Sequence, residues 1–167
     1  MKSINGGLNL RVLLMAVVLS FGCPLHAEDI FIEAESCKNH TFNEAADFGN
    51  IVSGGKILRL WKGDAPPGEG YLASFPFSAK SKTTYHVWVA VSLPPSTSNF
   101  WWRLDEGKWQ HVTPDTGEEF PTQYGVSNVM AWIQVTSSLL QAGEHAFTLR
   151  VNERRATLEQ AYLLYVD

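Results

Sequence analysis

The sequence predicts an all-β chain, folded as a jelly-roll β-sandwich of about nine to ten short strands. Three observations carry this expectation. Trp, Tyr and Phe together number 20 in 167 residues, while charged residues make up only 18%. Glycine and proline, 13 and 8 of them, break the chain into short runs. Within those runs apolar residues recur at every second position, and no stretch keeps a helical period over three turns.

The first 27 residues stand outside the fold by pattern. Lys2 and Arg11 give a positive start, residues 12–21 are apolar apart from Ser20, and Pro24-Leu25-His26-Ala27 resembles a cleavage site. That is the pattern of a secretory signal, and the apolar run is shorter than the roughly 20 residues of a spanning helix. A cut after Ala27 leaves 140 of the 167 residues, enough for one domain over 28–167.

Residues 29–35 alternate, with Phe31, Glu33 and Glu35 on one face and Ile30, Ile32 and Ala34 on the other, which reads as the first strand. Residues 39–49 are polar and read as a loop. Ser53-Gly54-Gly55 is a turn before a short strand at 56–61, and 62–68 is a Gly-Pro loop. Residues 71–77 form the next strand. The strongest one, 84–93, places Tyr85, Val87, Val89 and Val91 on one face. A hairpin joins 99–104 to 108–112 across Asp105-Glu106-Gly107. Residues 114–128 are the longest irregular stretch, of a length usually functional or disordered. Strands follow at 130–139, at 145–151 and at 157–166. The turn Gln141-Ala142-Gly143 separates the first two, and the polar turn 152–155 precedes the last.

Charge and cysteine content narrow the function classes. Residues 28–167 hold 11 Lys and Arg against 17 Asp and Glu, and no basic run, so nucleic acid is a poor partner. No long apolar segment remains to span a membrane. Cys37 is the single cysteine after the signal, which excludes an internal disulfide and paired-cysteine zinc. Leu19-Ser20-Phe21-Gly22-Cys23 loosely resembles a lipidation box, but the bulky Phe21 and the misplaced leucine argue against Cys23 as a lipoprotein anchor. His40, His86, His111 and His145 have no zinc spacing, and no nucleophile elbow occurs.

Six landmarks occur together in a recognisable order. Phe31-Ile32-Glu33-Ala34-Glu35 resembles the opening I-E-A-E of carbohydrate-binding modules of families 6 and 35. Ser53-Gly54-Gly55-Lys56-Ile57-Leu58 resembles their S-G-G-x-x-L turn, and Tyr85-His86-Val87-Trp88-Val89-Ala90-Val91 their central strand, with Ala90 where relatives often carry Arg. Residues 99–109 resemble their F-x-V-x-V-D-G-G-x-W hairpin. Leu140-Gln141-Ala142-Gly143-Glu144-His145 resembles L-x-A-G-x-H, and Ala156-Thr157-Leu158-Glu159-Gln160-Ala161 the closing A-x-L-D-x-I, with Glu159 for the usual Asp. The resemblance implies a galactose-binding-like sandwich, secreted or periplasmic, that binds a polysaccharide or oligosaccharide without cleaving it, in association with a glycan-degrading enzyme or on its own.

Glu33 and Glu35 lie two apart, so both carboxylates leave an extended strand on one face. They repel unless a cation lies between them or one is protonated. Oxygen-only donors suit Ca2+, which takes about 6–8 of them. The resemblance implies that Glu33, Glu35 and the closing acid, here Glu159, surround a structural calcium; the bland alternative is a solvated edge. Paired carboxylates also hydrolyse glycosides, but acids at i and i+2 serve a metal better than two faces of a sugar.

Sugars stack their C–H faces on Trp and Tyr, so a binding site needs aromatics outside the core. Trp61 before the Gly-Pro loop, Tyr124 in the long stretch and Trp109 after the hairpin turn are the platform candidates, with Trp61 and Tyr124 expected to clamp one ring. Trp88 and Trp132 read as packing. Trp101 and Trp102 must face opposite ways, one to the core. Asn128 and Asn152 are polar candidates, and Arg155, beside Arg154, is a candidate partner for an acidic sugar. The rival readings are a structural or protein-interaction sandwich of an exported assembly and, third, a small polysaccharide lyase.

Overall fold

The computed structural model describes residues 29–49, 52–93, 97–112, 119–124, 128–155 and 161–167. The signal segment 1–27, with Cys23, lies outside them, as does Glu159. For 119–124, 128 and 129 the backbone alone is described.

The chain forms a sandwich of two antiparallel sheets. In chain order the strands are β1 (Asn39–His40), β2 (Glu44–Asp47), β3 (Lys56–Lys62), β4 (Tyr71–Ala79), β5 (Thr83–Ser92) and β6 (Phe100–Leu104). There follow β7 (Gln110–Val112), β8 (Glu119–Tyr124), β9 (Asn128–Leu140), β10 (Gly143–Val151) and β11 (Tyr162–Val166). The first sheet runs β1-β4-β10-β6-β7 and the second β2-β3-β11-β5-β9-β8. The chain passes from one sheet to the other at most connections and makes local hairpins only at β2–β3, β6–β7 and β8–β9, which is jelly-roll winding. The eleven strands exceed the expected count because three short edge strands carry little sequence signal.

Alternation places the core. Leu58 and Leu60 of β3, Val89 and Val91 of β5, Phe100 and Trp102 of β6 and Leu149 and Val151 of β10 fill the space between the sheets. Each large side chain there contributes about 1.5–3 kcal/mol of transfer free energy. A smaller cluster, Ile57, Met130, Leu163 and Tyr165, lies on the opposite face of the second sheet, packed by Phe48 and Val52.

Three expectations are corrected. Residues 29–35 are not a laddered strand: the segment ends in a 3-10 turn, Ala34–Ser36. Ser36 N–H and Oγ both donate to Glu33 O, at 3.0 and 2.6 Å, so a local partner replaces a ladder partner. Residues 39–49, read as loop, contain β1 and β2. β2 is a polar edge strand with Glu44 opposite Arg59, and those two pair at 2.6 Å. The long stretch 114–128 contains β8, which pairs with β9 from Glu119↔Ile133 to Tyr124↔Asn128. Pro121 is tolerated there because β8 is an outer strand.

The β6–β7 turn is clasped to β10. Asp105 has φ 52°, and its N–H donates to Ala146 O at 2.7 Å. Its carboxylate accepts from Ala146 N–H and from His145 Nδ1, both at 2.8 Å, while His145 Nε2 lies 3.0 Å from Gln141 O.

Candidate functional site

The first sheet carries an aromatic and basic patch on its outer face, and strand register assembles it. In β6, Phe100 and Trp102 are buried in the core, so Trp101 and Arg103 face outward. Across the ladder Trp101 sits opposite Arg150 of β10 and opposite His111 of β7. One outer row is therefore Arg150, Trp101, His111. The next contains Thr148 and Arg103, and Trp109, one residue before β7, extends it. Neighbouring strands lie about 4.8 Å apart, so each row is contiguous.

Side-chain geometry follows the rows. The Trp101 and His111 rings stack with centroids 4.4 Å apart and planes 21° from parallel. The Arg150 guanidinium lies 4.2 Å from the Trp109 centroid and 5.3 Å from that of Trp101; Arg103 lies 4.7 Å from Trp109. Glu153, in the turn after β10, closes one end. Its carboxylate accepts from Asn99 Nδ2 at 2.9 Å and Trp101 Nε1 at 3.3 Å, and lies 3.7 Å from His111 Nε2. Gly70 makes room for Arg150: its φ is 129°, and a Cβ there would lie 2.9 Å from Arg150 Cγ and 3.0 Å from Val151 O.

The patch has donors in surplus. Arg103 Nε, Arg150 Nε and His111 Nε2 are buried and make no hydrogen bond to protein. Buried donors without acceptors are costly, so such a surface favours a ligand rich in acceptor oxygens. The guanidiniums over the indole faces add positive charge to the patch.

The structure gathers some of the sequence candidates and separates others. Trp109 belongs to the patch. Asn152 is exposed and adjoins Glu153. Trp61 is 56% exposed, but on the outer face of β3 in the second sheet. Tyr124 ends β8, with Asn128 opposite it at the start of β9; their side chains lie outside the described set. Three strands separate β3 from β8, a span of about 19 Å between the two backbones. Arg155 is half-buried, its N–H donating to Ala161 O at 2.7 Å, and Arg150 occupies the position by the tryptophans instead. Trp101, the more exposed of the two adjacent tryptophans, is the next platform candidate after Trp61, whereas Arg103, His111, Arg150, Glu153 and Asn99 carry no loop signal. The alternation Asn99, Trp101, Arg103 against Phe100, Trp102, Leu104 is the signal that marks them.

The acids form a second locus. Glu33 precedes the 3-10 turn and Glu35 lies within it, and both converge on the Ser53–Gly55 turn before β3. Ser53 Oγ donates to Glu33 Oε1 at 2.8 Å, and Ser53 N–H to Asp167 Oδ2 at 3.3 Å. Gly54, at φ 61°, would bring a Cβ within 2.3 Å of Glu35 Oε1. Glu33 Oε2 and Glu35 Oε2 are buried without a hydrogen bond. Two such oxygens at one turn suit a hard, oxygen-liganded cation. Among the described residues, no three His, Cys, Asp or Glu side chains group as a metal site. Asp167 was not foreseen beside this turn.

No protein-family model matches the chain, and no curated protein matches it. Among the described residues no helix is long and apolar enough to cross a membrane.

Proposed function

We propose that the chain is a secreted, non-catalytic carbohydrate-binding module that holds an acidic polysaccharide against the outer face of the first sheet. One observation carries the reading. Two buried guanidinium Nε–H donors without acceptors, on Arg103 and Arg150, are interleaved with the indoles of Trp101 and Trp109. Indole faces supply stacking for pyranose C–H groups, and guanidinium supplies planar recognition of a carboxylate. Glu153 adds an acceptor for a sugar hydroxyl beside them. Glu33 and Glu35 meet at one turn, a geometry that suits a cation better than attack on a glycosidic bond from two sides. In this reading they, with Glu159, hold a structural Ca2+ that fixes the start of the chain against β3, and the module keeps its polymer near a glycan-degrading partner.

The test is calorimetric titration with oligogalacturonates and with neutral galacto-oligosaccharides, at low and high salt, with product analysis. The expected result is binding of the acidic series without cleavage, weakened by salt because exposed charges act over about 8–10 Å. Trp101→Ala and Arg150→Ala should each lower affinity at least tenfold, a loss typical of a hot spot. Equal binding of neutral and acidic sugars at both salt levels overturns the acidic preference. Silence toward every glycan returns the chain to a structural or protein-interaction role, and unsaturated products would make it a lyase.

A further inference from the structure

Of the side chains in the Trp101 patch, only His111 is of a type that changes charge between about pH 5 and 8. Register with β6 sets its ring on the outer face, against Trp101, with centroids 4.4 Å apart. Its Nε2 is buried and makes no hydrogen bond. That nitrogen lies 3.7 Å from Glu153 Oε2, too far for a hydrogen bond and close enough for an ion pair. The contact therefore gains strength when the ring is protonated.

Glu153 is held in place without help from His111. Asn99 Nδ2 donates to its Oε2 at 2.9 Å, and Trp101 Nε1 donates to its Oε1 at 3.3 Å. Its negative charge thus stays at the edge of the Trp101 indole in both states of His111. The His111 and Glu153 side chains are 30% and 38% exposed, so an arriving ligand meets both.

The other charges around His111 are engaged elsewhere. From β10, Arg150 sets its guanidinium 4.2 Å from the Trp109 centroid. From β6, Arg103 lies over the same indole and pairs with Glu106 at 3.3 Å. In the turn that carries Glu153, Arg154 lies 5.5 Å from the Tyr162 centroid, and Arg155 Nε is buried. Lys108 is exposed ahead of β7. Among the described residues, His111 is the side chain that forms an ion pair with Glu153.

We propose that His111 sets the preference of this patch between acidic and neutral glycans. Protonated, it cancels Glu153 and leaves Arg103 and Arg150 to meet a uronate. Neutral, it leaves Glu153 as an anion beside the stacking ring of Trp101. The proposal rests on the carbohydrate reading of this surface. One unit charge about 5 Å from a carboxylate in water changes affinity about fourfold, and more where the sheet excludes water.

The test is calorimetry of the full-length protein with trigalacturonate and with neutral galactotriose, at pH 5.5 and 8.0 and constant low ionic strength. Carboxylates with a pKa near 4 are ionised at both values. Trigalacturonate should bind at least fourfold more tightly at pH 5.5, with galactotriose unaffected by pH. His111→Gln should remove the gain, and His111→Lys should make trigalacturonate affinity equal at both pH values. In the ligand-free protein, the Trp101 Nε1–H resonance should shift along the His111 titration and stay fixed in His111→Gln. Equal trigalacturonate affinity at both pH values, a gain that survives in His111→Gln, or a Trp101 resonance indifferent to pH overturns the inference and leaves the carbohydrate reading standing. Absence of binding by both sugars at both pH values overturns the two together.

Discussion

The Asp105–His145 clasp makes a pH-dependent contribution to stability that a single substitution can isolate. Both ring nitrogens of His145 face acceptors, the Asp105 carboxylate at 2.8 Å and Gln141 O at 3.0 Å. Only the imidazolium donates to both; a neutral ring leaves one acceptor without its donor. The hydrogen bond to Asp105, then that to Gln141 O, accordingly hold the His145 pKa above its ordinary value. For Asp105, burial alone would raise the carboxyl, but the hydrogen bonds from His145 and Ala146 N–H outweigh it and the pKa is lowered. A raised histidine pKa gives stability that is complete below the unfolded value near 6.5 and lost as pH rises through the folded one. A lowered aspartate pKa gives stability present above about 3.9 and lost as pH falls through the folded value. The clasp is therefore strongest from about pH 4 to 6.5. The Asp105 side chain is 45% exposed and that of His145 12%, so solvent screening reduces a charge-assisted bond to about 1 kcal/mol. Asp105→Asn is the suitable perturbation: asparagine tolerates the left-handed backbone at φ 52° and its Oδ1 still accepts from Ala146 N–H, while its Nδ2 replaces the charged acceptor facing His145 Nδ1, which a neutral ring tolerates and an imidazolium does not. Thermal melts of both proteins at pH 5.5 and 8.5 should differ by about 3–4 °C at the lower pH. At the higher pH they should nearly coincide. A difference of the same size at both values would refute the reasoning.

Two further outcomes follow from the other loci. Chelator should lower the melting temperature, by the mass-action stabilisation of about 2.7 kcal/mol that a hundredfold excess of ligand over Kd provides, and Glu35→Gln should abolish the sensitivity; identical melts with Ca2+ and EDTA would remove the metal from Glu33 and Glu35. Trp61→Ala should leave both oligogalacturonate affinity and the melt unchanged, because Trp61 stands exposed on the other sheet, whereas Gly70→Ala should weaken affinity by displacing the Arg150 stem; the opposite pattern in calorimetry would move the site to Trp61.

Strand periodicity made most of the sandwich legible. The alternation at Tyr85, Val87, Val89 and Val91 is dictated by a buried face, and Trp101 and Trp102 were bound to part company. The elements that escaped notice lack such a face. β2 is polar and exposed, and β8 contains Pro121, so neither advertises a core. The segment 29–35 shows the reverse failure: it alternates like a strand, yet Ser36, bonding twice to Glu33 O, turns its end into a 3-10 bend. The Trp101 patch is harder to read because it depends on pairing between strands. Arg150, Trp101 and His111 are far apart in sequence and adjacent only through register. Searching loops for aromatics favoured Trp61 and Tyr124 and passed over a strand face.

Strand β6 also constrains how this surface can evolve. Within five residues it supplies Phe100 and Trp102 to the interior and Trp101 and Arg103 to the exterior. A slip of one position would exchange the two tryptophans and bury Arg103 along with Trp101. The outward row of this strand therefore cannot be remodelled by a shift in register without risking the fold itself. The residues that surround it are freer to vary: His111 comes from an edge strand, Arg150 from the neighbouring β10 and Glu153 from a turn, so the character of this face can change at those three positions while the alternation of residues 100–104 is kept.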